Sequence, residues 1–158
     1  MKTKYINAYM KVAYTFAELS SAKRLHVGAI VVKDDRIISI GYNGMPAGWD
    51  NECEVEEVYT RQPAPGDDYE TIHTGILKTR PEVLHAESNA IAKLARSSES
   101  GLGAALFVTH SPCMECAKLI YQSGISVVYY DQDYRDAAGI KFLEASGVVV
   151  NKVSAVVV

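Results

Sequence analysis

Two short segments constrain this chain more than anything else in it: His85-Ala86-Glu87 and Ser111-Pro112-Cys113-Met114-Glu115-Cys116. The first supplies an imidazole and a carboxylate, the second two thiols three residues apart. Three of these four side chains are good zinc ligands, and the fourth can move protons. A zinc site with three protein ligands keeps its fourth position for water, which is the catalytic rather than the structural arrangement. To act together, the two segments must be brought to one place by the fold.

Each segment opens a stretch that reads as a helix. Ser111 suits an N-cap and Pro112 the first helical position. That places Cys113 and Cys116 in the first turn, at i and i+3, with both sulfurs on one face. A helix N-terminus lowers thiol pKa and favours thiolate, the form that binds metal. His85 and Glu87 are two apart, so in a regular helix they would point about 200° from each other. They serve one site only if His85 stands at the start of its helix, where the backbone is not yet helical. Under that condition Glu87 can take a proton from a zinc-activated water, pass it to a ring nitrogen and later protonate a leaving amine. Cys-x-x-Cys also occurs in structural zinc sites and redox dithiols. A structural site needs a fourth ligand, for which only Cys53 remains among the cysteines, and a redox dithiol leaves the His-x-Glu partner unexplained.

The rest of the chain can be read around these segments. Residues 5–22 carry Ile6, Tyr9, Met10, Ala13, Phe16 and Ala17 near a 3.6-residue period, which predicts an amphipathic helix. Residues 27–33 and 37–42 are rich in β-branched residues and flank Asp34-Asp35, which predicts an antiparallel hairpin whose turn lacks the usual glycine. Gly41-Tyr42-Asn43-Gly44-Met45-Pro46 reads as a tight turn or as backbone that approaches a ligand closely. No clean period runs from 47 to about 80. Pro63-Ala64-Pro65-Gly66-Asp67-Asp68 is a turn signal there, and a short helix is expected near 54–60. A helix over 85–96 carries Ala86, Ala90, Ile91, Leu94 and Ala95 on its apolar stripe. It is followed by a buried strand (104–109), a helix ending at Gly124, a strand (125–130), a helix (135–146) ending at Gly147 and a last strand (148–150). Alternating strands and helices imply parallel pairing with right-handed crossovers. The expected fold is α/β, a three-layer αβα sandwich on a mixed five-stranded sheet. One domain would cover 1–158, with an insert at about 47–82.

Composition acts as a filter. At 158 residues, 48% of them hydrophobic and 22% charged, the chain suits one soluble globular domain. A formal net charge of −3 argues against binding nucleic acid through bulk electrostatics, but a few local donors can still hold a small anion. No apolar run approaches the roughly 20 residues that span a bilayer, and the first residues do not form a signal-peptide core. Three cysteines are too few for a disulfide scaffold, which points to a reducing, cytoplasmic setting.

His-x-Glu followed by Pro-Cys-x-x-Cys is the signature of zinc nucleobase deaminases. Four stretches carry a closer likeness: Val27-Gly28-Ala29, Gly41 to Pro46 as quoted above, His85-Ala86-Glu87-Ser88-Asn89-Ala90-Ile91, and Pro112-Cys113-Met114-Glu115-Cys116-Ala117-Lys118. On these the chain resembles the deoxycytidylate (dCMP) deaminases of the cytidine deaminase-like superfamily. The resemblance implies hydrolysis of dCMP to dUMP and ammonia, with Glu87 catalytic and His85, Cys113 and Cys116 holding Zn²⁺. It implies that Asn43 contacts the sugar and Ala86 the base through its backbone. Ser111 and Pro112 would line the pocket, and Asn89 and Tyr134 would add nucleotide contacts. It also implies a homo-hexamer activated by dCTP with Mg²⁺ and inhibited by dTTP, with the effectors at a subunit boundary near Gly44 and Met45. The partners would be small nucleotides, with no nucleic acid and no membrane.

Two features depart from the pattern. His110 is an unusual neighbour of the Pro-Cys motif, and a strand-end polar residue is its plain reading. Cys53 and His73 fall where some relatives hold a second, structural zinc, but no further partner is evident; a free buried cysteine and a solvated histidine are the plain alternative. Two rival functions stay open. One is a zinc deaminase acting on cytidine, dCTP or tRNA adenosine, and the other is a non-catalytic protein of the same fold that binds nucleotide.

Overall fold

A computed structural model describes residues 1–61 and 72–153. The turn signal at 63–68 lies outside the described residues, as does the side chain of His73. A five-stranded sheet runs β2-β1-β5-β6-β7, with β1 at Gly28–Lys33, β2 at Arg36–Tyr42, β5 at Ala105–His110, β6 at Val127–Gln132 and β7 at Val149–Lys152. β1 is antiparallel to both β2 and β5, whereas β5, β6 and β7 are parallel. The expected mixed sheet and three-layer sandwich are present.

Period-2 alternation divides the core between the two faces of the sheet. Ile30, Val32, Ala105 and Phe107 meet Met10 and Ala13 of α1 (Thr3–Ala17) on one face. Phe107 there stacks on Tyr129, with ring centroids 4.7 Å apart. Ala29, Val31, Leu106 and Val108 face the other way. They pack against Ala90 and Leu94 of α2 (Ala86–Ala95), Ala117 and Ile120 of α3 (Met114–Gln122) and Leu143 of α4 (Ala138–Ala145). The β1–β2 turn closes with Asp34 at φ 49° and Asp35 at φ 57°. This is the left-handed pair that a tight right-twisted hairpin needs, built from aspartates instead of Asn-Gly. Gly124 and Gly147 follow α3 and α4 as expected, both with positive φ.

The expected helix at 54–60 is overturned. Glu54–Arg61 is a strand (β3) paired antiparallel with β4 (Ile72–Thr79) in a separate two-stranded sheet. Val55 and Val58 project to opposite faces of this ribbon, and both are exposed. Val55, Val58, Ile76 and Leu77 all stay exposed, so among the described side chains burial imposes no apolar period and the segment has no strand signature. No described helix is long and apolar enough to cross a membrane.

Candidate metal centre and active-site cleft

The two diagnostic segments meet at the N-termini of α2 and α3. After β2 the chain pairs once more, Gly44 N–H to the Leu84 carbonyl (3.1 Å) and Leu84 N–H to the Gly44 carbonyl (2.9 Å). His85 follows as the N-cap of α2, with extended backbone at φ −74° and ψ 154°. The geometric condition set by the two-residue spacing is therefore met. His85 departs from the helix, Glu87 lies in its first turn, and both reach the same space. β2 lies directly against this turn. A Cβ on Gly41 would stand 2.1 Å from the Ala86 carbonyl oxygen, a distance only glycine permits.

Cys113 is the N-cap of α3, at φ −71° and ψ 170°, so the helix begins two residues later than expected and Cys116 is its third residue. Ser111 does not cap. Its Oγ accepts the Tyr134 N–H (2.7 Å) and its N–H donates to the Gln132 carbonyl (2.8 Å), extending the β5–β6 pairing instead. The i,i+3 relation of the two thiols survives this shift. Gly139 of α4 packs against them from behind, since a Cβ there would meet the Pro112 carbonyl oxygen at 2.1 Å.

His85 Nδ1 stands 3.5 Å from Cys113 Sγ and 3.4 Å from Cys116 Sγ, and all three donor atoms lie within 4.8 Å of one another. Nitrogen and sulfur ligands at ordinary zinc bond lengths and tetrahedral angles stand about 3.5 Å apart. The nitrogen-and-thiolate donor set fits zinc in both spacing and softness. The hydrogen bond from Cys116, followed by that with the His85 ring, pulls the Cys113 thiol down to about 3. Its bond to Cys113 and its own burial push Cys116 well above the usual thiol range. Hydrogen bonding to Cys113 raises His85. Glu87 is 4% exposed, and burial raises its carboxyl above the ordinary range.

Above this centre opens a cleft of about 260 Å³ with His85, Glu87 and Cys113 in its wall. Of the residues proposed from sequence for the nucleotide, Asn43, Ala86, Ser111 and Tyr134 line it, while Asn89 and Pro112 do not. Asn89 Nδ2 donates to the Tyr42 carbonyl (2.9 Å), tying α2 to the end of β2, and Pro112 is fully buried. Gly44 and Met45 also stand outside the lining.

Four polar lining residues carry no site expectation from the sequence: Arg24, Glu54, Thr79 and Arg135. His110, whose plain reading is a strand-end polar residue, lines the cleft as well. Arg135 was findable in principle, because it follows the carboxyl end of β6, where α/β sheets gather ligand contacts. Arg24, in an irregular connection, carried no such signal.

The family model for the cytidine and deoxycytidylate deaminase zinc-binding region matches residues 3–132. The chain belongs to this deaminase family. Its members include the deoxycytidylate deaminase of Homo sapiens, 36% identical over 152 residues that cover 91% of this chain and 76% of that protein. ComE operon protein 2 of Bacillus subtilis is 33% identical over 150 residues, 92% of this chain and 69% of that one. Among solved structures, dCMP deaminase from cyanophage S-TIM5 in complex with dCMP and dUMP superposes with a TM-score of 0.81 at 44% identity. That match covers 97% of this chain and 99% of the other. The fold expected from the deaminase resemblance is thereby shown.

Proposed function

We propose that this chain hydrolyses dCMP to dUMP and ammonia. The observation that carries this reading is the placement of Glu87, buried beside the His85–Cys113–Cys116 donor set in a cleft that Arg24 and Arg135 also line. The solved relative bound to dCMP and dUMP supports the choice of nucleotide.

His85, Cys113 and Cys116 would hold zinc, which would supply the Lewis acidity that makes water ionisable near neutral pH. Glu87 takes one proton from the attacking water and delivers it to the pyrimidine ring nitrogen as the water oxygen adds to C4. It then takes the remaining O–H proton and hands it to the exocyclic amine as the C4–N bond breaks, leaving dUMP and ammonia, and so acts in turn as base and acid. Its burial keeps competing solvent away and strengthens its interactions with the ring. The Ala86 backbone forms the wall against which the base lies. The Asn43 carboxamide bridges two backbone groups of the connection that leads into β1, accepting the Val27 N–H (2.8 Å) and donating to the Leu25 carbonyl (2.8 Å). One N–H and one lone pair of that amide remain for the sugar. The Arg24 and Arg135 guanidinium groups suit the phosphate. In a chain of net charge −3 such local cations favour a small anion over a polyanion.

Assembly into a homo-hexamer and control by dCTP with Mg²⁺ and by dTTP accompany this reading through the family resemblance. Gly44 leaves open space where a side chain would stand, and its backbone bonds to Leu84, the residue before His85. An effector at Gly44 and Met45 would thus press on the segment that carries the metal ligand.

The test is ammonia release from dCMP, dCTP, deoxycytidine and cytosine by zinc-loaded protein. Preferred turnover of dCMP is expected. Silence on all four with zinc bound would sink the enzymatic reading, and preference for another substrate would replace dCMP.

A further inference from the structure

The metal centre is held by helix termini, but the cationic part of the cleft has no such support of its own. Arg24 stands in the irregular connection between α1 and β1. What fixes it lies on the β3–β4 ribbon. Glu54, 5% exposed, accepts the Lys23 N–H on both carboxylate oxygens (3.0 and 3.0 Å) and the Arg24 N–H on Oε1 (3.2 Å). Its register partner across the ribbon is Thr79, whose Oγ1 accepts from Arg24 Nη1 (3.2 Å). The main chain and the guanidinium of one arginine are therefore gripped by the two residues that form the outermost rung of the ribbon. All three residues line the cleft with Arg135.

A buried carboxylate needs donors, and backbone N–H groups meet that need here with charge-assisted bonds. The coupling runs both ways: the connection cannot shift without stranding the Glu54 charge, and the ribbon cannot shift without releasing the connection. We propose that Glu54 is a positioning residue for the substrate phosphate. Through Glu54 and Thr79 the β3–β4 ribbon sets where the Arg24 guanidinium stands, and so sets affinity for a phosphate-bearing nucleotide without acting on the chemistry at Glu87. This inference rests on the reading of the cleft as a dCMP site. Displacement of the ribbon would then be felt as a change in KM.

Steady-state kinetics on dCMP and on deoxycytidine, which lacks the phosphate, test it. Glu54→Gln is expected to raise KM for dCMP by about tenfold while kcat stays within about twofold, the split produced by losing a binding interaction alone. On deoxycytidine, kcat/KM should stay within about twofold of wild type. Thr79→Val, a change at an exposed residue, should raise KM for dCMP in the same direction by roughly two- to threefold, as fits one neutral acceptor. Equal losses on both substrates, a fall in kcat at constant KM, or no change would overturn the role of Glu54. Should Glu54→Gln not fold, Thr79→Val decides by the same criteria. A wild-type protein that leaves dCMP untouched would instead sink the reading of the cleft, and this inference with it.

Discussion

Gly41 and Ala86 touch backbone to backbone. A Cβ on Gly41 would fall 2.1 Å from the Ala86 carbonyl oxygen and 2.6 Å from the Ala90 amide nitrogen. Neither neighbour can rotate away, because both belong to the main chain of α2. Gly41→Ala must therefore push the first turn of α2 off the sheet, and with it His85 and Glu87. We expect a loss of stability at or above the 1–3 kcal/mol typical of overpacking, together with a fall in bound zinc below one ion per chain. Thermal melts and metal analysis of the purified variant check both.

Glu87→Gln separates proton transfer from metal binding. The amide keeps the shape of the carboxyl and leaves the His85–Cys113–Cys116 set intact. Zinc content should match wild type while kcat falls by about 10²- to 10⁴-fold, the usual weight of a general acid–base group. Substantial remaining turnover would show that the proton travels by another route.

Metal removal should inactivate without unfolding. The two hydrophobic clusters on either face of the sheet are complete without any contribution from the three ligands. Unlike a zinc finger, whose metal provides the folding free energy, this chain has a core of its own. Chelation, or Cys113→Ala, should abolish activity and lower Tm, yet leave the far-UV circular dichroism of the native fold. Collapse of the secondary structure would contradict this.

How much could be read in advance follows from where burial imposes a period. α1, β1, β2 and everything from α2 onward pack on the central sheet, and their apolar spacing announced them. The extended backbone at His85 was also legible, because only one local geometry lets residues two apart share a site. The β3–β4 ribbon pairs with itself and leaves Val55 and Val58 exposed on opposite faces, so no pattern distinguished it. Ser111 misled for a different reason. It is a good N-cap by residue type, but its hydroxyl is committed to the Tyr134 N–H by a contact that only tertiary structure creates.

Tyr14 gives the fold a pH dependence on the alkaline side. Its hydroxyl donates to Asp131 Oδ2 at 2.5 Å, and burial, then that bond, raise the phenol to about 12. The folded value lies above the ordinary 10.0, so the contribution is fully present below about pH 10 and is lost as pH rises towards 12. Because Tyr14 is only partly buried, the contribution is discounted for solvent screening to about 1 kcal/mol. Tyr14→Phe should lower the denaturant midpoint at about pH 8, and the gap to wild type should close as pH rises through that window. A gap independent of pH would mean that the hydrogen bond does not set it.

The β1–β2 turn offers a gain. Asp34 and Asp35 both hold positive φ, which costs an ordinary side chain roughly 1 kcal/mol or more per residue. Asp34→Asn with Asp35→Gly supplies the residues this turn prefers. The double variant should be more stable by about 1 kcal/mol, a rise of roughly 2–4 °C in Tm for a chain of this size.

No local stretch of this chain contains the whole donor set: His85 and Cys113 lie 28 residues apart, on the ends of different helices. The thiol pair can capture an ion while the chain is still disordered, but the imidazole arrives only once α2 and α3 have docked on the same face of the sheet. Affinity for metal is thus an index of long-range order. A lesion anywhere along β2, α2, β5 or α3 will register as a weaker grip on zinc well before it registers as unfolding.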